Sequence, residues 1–451
     1  MTSEMENDSL EISRDLLKFI SQSPTSFHVV SNMRKLLDEN GFACLQENQH
    51  WNLEKGGRYY VVRNGSSIIA FVLPEEMPDH FQITAAHSDS PAFRLKTNPY
   101  LESAGHYVQL NVEKYGGAIL APWLDRPLSV AGRVIVKCER PSGAESAGPV
   151  MLQQRLVNID RDLVLIPNLA IHMNRQVNDG YAYKVQKDLL PVFGDETSKG
   201  RLEDIIAELL DIKKEQIAAA DLFLYNRTPG TIWGAGNEYI SSPRLDDLQC
   251  AWSCLKGLIS AEEPEAVCVC GIFDNEEVGS LTKQGADSTF LYDILRRISS
   301  SLGFTEEDYL IALAGSFMIS ADNAHAVHPR HMDAADPVHR PAMNLGPVIK
   351  YSANQKYTTD AVSGAVFQSI CEKAGVPYQV FHNNSDIAGG STLGNISNAH
   401  VSLNAVDIGL AQLAMHSPYE TAGTRDTAYM IRAIDAFYRT NIENMGQRML
   451  L

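Results

Sequence analysis

The chain has 451 residues, of which 44% are hydrophobic and 21% are charged, and its formal net charge at pH 7 is −17. This length and composition predict a globular protein with two or three domains and an ample core. The negative charge disfavours nucleic acid and anionic membrane surfaces as partners. It also means that an acidic substrate would need a local cation in order to bind.

The chain contains seven cysteines, an odd number, and no Cys-x-x-Cys pair. This pattern favours free thiols in a reducing compartment over a disulfide framework. The first residues, MTSEMENDSLE, are acidic and polar, unlike a signal peptide, and no apolar run approaches the roughly 18 residues of a membrane span. We therefore expect a cytoplasmic protein without a transmembrane helix.

Helical periodicity at the start of the chain predicts two helices, at residues 10–22 and 26–41. Three strand-like segments follow, at residues 58–65, 66–73 and 80–89. An Asn-Gly turn lies between the first two of these segments, which predicts that they form a β-hairpin.

From about residue 91 to residue 240 the segments are short, β-like and punctuated by glycine and proline. The chain then alternates between helical and strand-like patterns. The predicted helices are residues 246–260, 288–300, 359–375 and 427–445, and the predicted strands are residues 266–273, 309–319 and 377–382. This alternation is typical of a parallel α/β sheet. We therefore expect one α/β domain formed by residues 1–91 and 236–451, with a β-rich insertion at residues 92–235.

Charged or imidazole side chains follow four of the predicted core strands, and a further acid opens a predicted helix. These residues are His87 with Asp89, Glu276 with Glu277, Asp322, His416 and Asp246. Because ligands bind beyond the carboxyl ends of the strands in open α/β sheets, these positions can converge on one site. A set of imidazoles and carboxylates without cysteine suits zinc, cobalt or manganese in a site that is not purely structural.

Asp274, Glu276 and Glu277 place three carboxylates within four residues, directly after a buried strand. Like charges at the rim of a core repel one another, and two divalent cations would neutralise them. Each motif by itself leaves a simpler alternative open, because an acid after a strand is more often a turn residue or a helix cap. Asp246 can simply cap its helix, and Asp274 is interpreted as a turn residue or as an acid that supports the site.

Two further histidines, His325 and His328, have the helical spacing of a metal-binding pair, but Pro329 follows at once. We interpret them as walls of the site or as structural residues. The His87-x-Asp89 pair is a stronger signal. Its carboxylate can accept a hydrogen bond from the ring N–H that faces away from a metal, which fixes the tautomer of the ligand.

Taken together and in order, these motifs resemble the M18 family of metallo-aminopeptidases, the aspartyl aminopeptidases. The segments that carry the resemblance are SPTSFHVV, HSDSPAFRLK, YGGAILAPWLDRPLSVAGRVIVK, NLAIHMNR, SPRLDDLQ, FDNEEVGS, SADNAHAVHP, GPVIKYSANQKYTTD and LAMHS. They span nearly the whole chain. The resemblance implies a dinuclear zinc-peptidase-like α/β catalytic domain, with a mixed sheet flanked by helices, interrupted by a β-rich dimerisation domain. It also implies a homo-oligomer, a dodecamer built from dimers.

The resemblance further implies a role for each candidate residue. The implied metal ligands are His87 and Asp322 for one ion, Glu277 and His416 for the other, and Asp246 as the bridge between them. The implied catalytic residues are Glu276, as the general base, and Asp89, which orients His87. A base that is not itself a ligand keeps its lone pairs for the proton, and its place beside a ligand holds it near the attacking water.

Three residues are predicted from the resemblance to contact substrate. His172 would reach the active site of a neighbouring subunit, Lys350 would pair with an acidic substrate side chain, and Tyr357 lies seven residues further on. The alternatives are an ordinary turn residue for His172 and an ordinary surface lysine for Lys350. The chain departs from the family where Asp247 and Arg330 stand in place of the more usual asparagine, and the sequence gives no account of Asp247.

We therefore predict an aminopeptidase that removes N-terminal Asp or Glu from peptides with a free N-terminus. It would use two divalent metal ions, with zinc expected first and cobalt or manganese as alternatives. A near alternative keeps this chemistry but prefers neutral N-terminal residues. A second alternative is a carboxypeptidase or deacylase with the same type of metal site, and a third is a non-catalytic assembly or cargo protein of the same fold.

Overall fold

The computed structural model describes residues 3–138, 151–444 and 449–451. The chain is divided into two units. The first consists of Met1–Ser90, Gly230–Met415 and Glu420–Leu451, and the second consists of Pro91–Pro229 and His416–Tyr419. None of the described helices combines the length and the apolar character needed to cross a membrane.

Helices and strands are numbered in chain order across the described residues. The helices are α1 (Ser3–Ser21), α2 (Ser26–Glu39), α3 (Val185–Asp188), α4 (Arg201–Leu210), α5 (Leu245–Ser260), α6 (Phe290–Ser301), α7 (Glu306–Gly315), α8 (Ala361–Ala374), α9 (Leu393–Ser397) and α10 (Asp426–Tyr438). The first twelve strands are β1 (Ala43–Leu45), β2 (Arg58–Arg63), β3 (Ser67–Val72), β4 (Phe81–His87), β5 (Ala92–Ser103), β6 (Tyr107–Tyr115), β7 (Leu128–Cys138), β8 (Met151–Asn158), β9 (Val192–Asp195), β10 (Ile217–Asn226), β11 (Thr231–Trp233) and β12 (Tyr239–Ser242). The others are β13 (Val267–Phe273), β14 (Phe317–Ala321), β15 (Ala324–His325), β16 (Val348–Tyr351), β17 (Gln379–His382), β18 (Asn404–Gly409), β19 (Ala411–Leu413), β20 (Glu420–Gly423), β21 (Glu443–Asn444) and β22 (Met449–Leu450).

A nine-stranded mixed sheet forms the centre of the first unit, with the strand order β1-β2-β3-β13-β4-β14-β18-β16-β17. The four central strands, β13, β4, β14 and β18, are parallel to one another, whereas β3 and β16 pair antiparallel beside them. Apolar side chains cover both faces: in β14, Ile319 points into one core and Met318 into the other. The predicted α/β fold with a mixed sheet flanked by helices is confirmed. Because parallel strands end at the same edge, the residues that follow β4, β13 and β14 meet there.

The predicted hairpin of the first two strands is confirmed. β2 and β3 pair antiparallel from Arg58 opposite Val72 to Arg63 opposite Ser67. Asn64 and Gly65 both have positive φ, 58° and 72°. Positive φ at both central positions is what a tight hairpin turn of this type requires, and Asn-Gly supplies it at little strain.

The predicted strand at residues 309–319 is wrong. Helix α7 ends at Gly315, and only β14 is a strand. The helix begins at a capping box, in which the Thr305 side chain accepts from the Asp308 N–H and the Asp308 carboxylate accepts from the Thr305 N–H. This cap satisfies N–H groups that a helix otherwise leaves without partners. The segment therefore forms a helix although its apolar pattern is typical of a strand.

The last helix also differs from its prediction at residues 427–445. Helix α10 ends at Tyr438, and residue 445 lies outside the described residues. Its buried face includes Met430, Ile434 and Phe437, at the spacing of about one helical turn that the sequence shows.

The second unit contains a six-stranded antiparallel sheet with the order β8-β7-β10-β5-β6-β9. It has a core of its own, in which the rings of Phe93 and Trp123 meet edge to face with their centroids 5.0 Å apart. This sheet corresponds to the β-rich insertion. The boundaries 92–235 and a role in dimerisation stay predictions.

Candidate metal centre and active site

Three neighbouring strands of the large sheet end in polar side chains at one edge. His87 is the last residue of β4, Asp322 directly follows β14, and Glu276 and Glu277 lie on a short 3-10 helix after β13. In the register of the sheet, Phe273 at the end of β13 lies opposite His87. The large sheet thus brings together the acids and the imidazole that the sequence placed after separate strands.

The first group of metal-capable side chains surrounds His87. Its Nε2 lies 3.6 Å from Asp246 Oδ1 and 3.9 Å from Asp322 Oδ1, and all three side chains are buried. These separations are too long for hydrogen bonds, but they suit two donors that each lie about 2.0–2.2 Å from one shared cation. One donor atom each from His87, Asp246, Asp247 and Asp322 lies within 4.8 Å of the others. These residues therefore fit a divalent cation.

A second group combines His87 with Glu276 and Glu277, again with donor atoms within 4.8 Å of one another. Asp89 connects the parts of this group. Its two carboxylate oxygens accept hydrogen bonds from the main-chain N–H groups of Glu276, at 3.1 Å, and Glu277, at 3.2 Å. His87 Nδ1 lies 3.1 Å from the Asp89 carbonyl oxygen and 3.5 Å from its Oδ1. One buried acid thus holds both the imidazole and the turn that carries the two glutamates.

Asp246 is held through its main chain. Its N–H donates to Glu420 Oε2 at 3.0 Å, and its carbonyl oxygen accepts from Ser90 Oγ at 2.7 Å. The residue at the helix cap is Arg244, whose side chain makes no capping hydrogen bond, and Asp246 itself has non-helical backbone angles. Asp246 therefore lies at a kink in the first turn of α5. The peptide between Asp246 and Asp247 is cis.

Burial and mutual repulsion make the ionised forms of the acids in this cluster unfavourable. Burial raises the pKa of Glu277 well above its usual value, and the Asp246 carboxylate adds to the effect. Burial also raises the pKa of Glu276, to about 7, and the Asp322 carboxylate contributes. A divalent cation would favour the ionised form of each acid, so the donor set and its electrostatics both suit a metal.

The charge state of His87 follows the same logic. Burial lowers its pKa, but the neighbouring Asp247 and Asp246 carboxylates outweigh burial and raise the pKa well above its usual value.

Asp274 is a further buried acid near the site, and burial raises its pKa to about 7. Asp274 Oδ1 accepts from the next residue's N–H at 2.9 Å, as the turn-residue interpretation expected.

Lys350, in β16, is buried rather than exposed, with 3% of its surface accessible. Its Nζ donates to the Asn323 carbonyl oxygen at 3.0 Å and lies 3.8 Å from Asp322 Oδ2. Burial lowers the pKa of Lys350, but the Asp322 carboxylate outweighs this and raises it. The ring of Tyr357 lies 5.5 Å from Nζ and packs against Phe381. The structure therefore places Lys350 beside the candidate metal ligand Asp322 and Tyr357 beside Lys350.

The two remaining candidate histidines belong to the second unit. His172 lies in an exposed turn, between the exposed Ile171 and Met173. His416 opens the four-residue segment that joins this unit, three residues after β19. Its carbonyl oxygen accepts from the Ile119 N–H at 3.1 Å.

His325 and His328 take no part in the metal-capable groups that the described residues form. The ring of His325 lies 6.2 Å from that of Phe381, and the ring of His328 lies 4.8 Å from that of His331. Their interpretation as wall or structural residues agrees with these contacts. The residues that the sequence analysis missed are Asp247 and Glu420. The only available signal was the Asp-Asp pair at the start of a helix.

Comparisons with known proteins show the family to which the chain belongs. The family model described as "Aminopeptidase I zinc metalloprotease (M18)" matches residues 19–438. A protein of Clostridium acetobutylicum named "Probable M18 family aminopeptidase 2" is 48% identical over 440 residues, which is 96% of this chain and 100% of that protein. A protein of the same name from Clostridium novyi is 46% identical over 435 residues, 95% of this chain and 99% of its own.

Solved structures show the same fold. The structure described as "Cryo-EM structure of the Ape4 and Nbr1 complex" has a TM-score of 0.90 and 34% identity, covering 97% of this chain and 87% of the solved one. The dodecamer of S. cerevisiae mApe1 has a TM-score of 0.83 and 27% identity, covering 96% and 97%. The chain therefore belongs to the M18 family of zinc metalloproteases and is a metallo-aminopeptidase, a hydrolase of peptide bonds.

Proposed function

We propose that this aminopeptidase removes N-terminal Asp or Glu from peptides and holds two divalent ions, zinc first, in the buried cluster of acids and imidazoles. The observation that carries the proposal is the convergence of His87, Asp246 and Asp322 at the shared edge of β4 and β14, with Glu276 and Glu277 beside them. The ligand assignment follows the family resemblance. Its members are His87 and Asp322 for one ion, Glu277 and His416 for the other, and Asp246 between them.

Divalent ions, when bound, lower the pKa of a water and polarise a scissile carbonyl. Glu276 then acts as the general base: it takes a proton from the attacking water and delivers it to the departing amine nitrogen. Asp89 keeps Glu276 in place through the main-chain hydrogen bond, because the base sits on a short turn that needs an anchor.

The preference for acidic residues is supported by the charge of Lys350. The net charge of −17 repels an acidic substrate at long range, so a cation near the substrate side chain is needed. Lys350 places an ammonium within 3.8 Å of a candidate metal ligand, where the N-terminal residue of a peptide would be held. A preference for neutral N-terminal residues is the alternative.

We further propose that the chain forms a homo-oligomer, in which the second unit makes a dimer contact and His172 reaches a neighbouring active site. The mApe1 relative is a dodecamer, and His172 lies in an exposed turn with apolar neighbours, as a contact between copies would require. A cytoplasmic location is supported by the seven cysteines, all of which are free thiols.

The test is hydrolysis of a peptide panel that differs only at the N-terminal residue: Asp, Glu, Leu, Lys and acetyl-Asp. Each peptide is tested after chelation and again after addition of zinc, cobalt or manganese. We expect metal-dependent release of Asp and Glu, with acetyl-Asp inert. Preferential release of Leu would refute the acidic preference, and cleavage of acetyl-Asp would favour a deacylase.

A further inference from the structure

Asp247 lies beside the metal centre and has no part in the function proposed above. Its side chain is completely buried, and a donor atom of it lies within 4.8 Å of donors from His87, Asp246 and Asp322. Its Oδ2 accepts the main-chain N–H of His87 at 3.1 Å. Among the residues that the structure describes, none donates a hydrogen bond to its Oδ1. A buried carboxylate oxygen in this position is costly unless a cation compensates it.

The polar groups packed around Asp247 have other hydrogen-bond partners as well. The Cys250 thiol, one turn further along α5, donates to Asn323 Oδ1 at 3.0 Å. The Asn323 side-chain amide donates to Gln249 Oε1 at 3.1 Å and to Gln412 Oε1 at 2.9 Å. None of these hydrogen bonds ends at Asp247 Oδ1, and the metal-capable neighbours of Asp247 are His87, Asp246 and Asp322. The compensating charge is therefore expected on the side of the metal centre.

We propose that Asp247 is a further residue of the metal centre, in which one carboxylate oxygen accepts a hydrogen bond from the protein and the other binds the cation. Oδ2 fixes the main chain of the ligand His87, and Oδ1 supplies a carboxylate oxygen to the ion held by His87, Asp246 and Asp322. The inference rests on the metal centre proposed above. With Asp247, this metal position has one imidazole nitrogen and three carboxylates as ligands. Since carboxylate oxygens suit manganese and imidazole suits zinc, Asp247 shifts the preference of this position towards manganese.

The variant Asp247→Asn tests the inference because it keeps the shape and an oxygen for the His87 N–H but removes the charge. Metal-free wild type and variant are titrated with manganese, zinc and cobalt in competition with a chromogenic chelator. We expect the affinity for one ion per chain to fall by about 10- to 100-fold, with a larger loss for manganese than for zinc. The visible absorption spectrum of bound cobalt should change as well. If the asparagine variant does not fold, Asp247→Ser should show the same loss.

The matched control is Asp426→Asn. Asp426 is also completely buried and accepts two main-chain N–H groups, from Asn344 at 2.6 Å and Gly346 at 3.0 Å, but it belongs to no metal-capable group of the described residues. Its variant should keep the wild-type affinity for metal. Equal affinities and identical cobalt spectra for wild type and Asp247→Asn would overturn the role of Asp247 alone. A wild type that binds no divalent ion would overturn the metal centre itself.

Discussion

At the scale of single residues, the active site depends on side chains that do two things at once. Asp89 holds the ring of His87 and the main chain of both glutamates, so it fixes a ligand and a base relative to each other. Lys350 donates to a carbonyl oxygen and balances the charge of Asp322. Such shared contacts make the geometry of the site sensitive to single substitutions.

Glu276 and Glu277 offer a matched pair of tests, because they are neighbours of identical chemistry with different proposed roles. Glu276→Gln should bind metal as the wild type does and lose hydrolysis by about 10²–10⁴-fold, the usual contribution of a general base. Glu277→Gln should lose one metal ion. Metal content by elemental analysis, together with kcat on an Asp peptide, distinguishes them. Full activity of Glu276→Gln would show that another group is the base.

Lys350→Ala tests the acidic preference. We expect kcat/KM for Asp and Glu peptides to fall at least 10-fold while release of Leu changes little, because only an acidic side chain uses the ammonium. The control is Lys356→Ala, an exposed lysine of the same segment. Metal content must be measured in parallel, since Lys350 also contacts Asp322. An equal loss on all peptides would show that Lys350 supports the metal centre rather than selecting the substrate.

Much of the site could be predicted from the sequence because its residues follow strands. His87, Asp322 and the two glutamates come directly after apolar segments, and parallel strands end at one edge. Asp247 could not be assigned, because its role depends on the packing of α5 against β4, which has no local signal. The burial of Lys350 was also not predictable, since lysine is usually exposed and only its partner Asp322 makes burial acceptable.

At the scale of elements, the order of strands in the large sheet determines where the site lies. β4 sits between β13 and β14, so the residues after all three strands are adjacent. The alternation of helix and strand predicted this sheet, but it did not predict that α7 precedes β14 within residues 309–319. The decisive local signal was the Thr305-x-x-Asp308 box, which satisfies the first N–H groups of the helix.

Thr305→Ala should therefore destabilise the protein by about 1 kcal/mol, the usual effect of removing a helix cap. Unfolding in urea measures this change. Thr305→Ser keeps the hydroxyl and is expected to be close to wild type. KM and metal content should stay constant in both variants, because Thr305 lies at the start of α7, whereas the candidate ligand Asp322 follows β14. An unchanged midpoint for Thr305→Ala would mean that core packing alone fixes the helix.

At the scale of the whole molecule, the turn around His172 bears on how chains assemble. The exposed turn around His172 carries Ile171 and Met173, whose accessible fractions are 48% and 77%. Exposed apolar side chains on a chain with a net charge of −17 are typical of a contact surface. If this turn contributes to a neighbouring site, catalysis requires two chains.

Complementation tests this requirement. His172→Ala and Glu276→Gln should each be nearly inactive, but chains of the two variants produced together should recover part of the activity. In a mixed oligomer, some sites combine the intact Glu276 of one chain with the intact His172 of another. His106→Ala, which alters another exposed histidine of the same unit, should be fully active alone. Absence of recovery, with His172→Ala active by itself, would show that His172 is an ordinary turn residue.

The central claim is that the buried cluster holds two divalent ions, and anomalous X-ray diffraction from crystals of the zinc-loaded enzyme tests it most directly. The account predicts two zinc peaks per chain. One should lie among His87, Asp246, Asp247 and Asp322, and the other should be bound by Asp246, Glu277 and His416. A single peak, or peaks away from these residues, would contradict it.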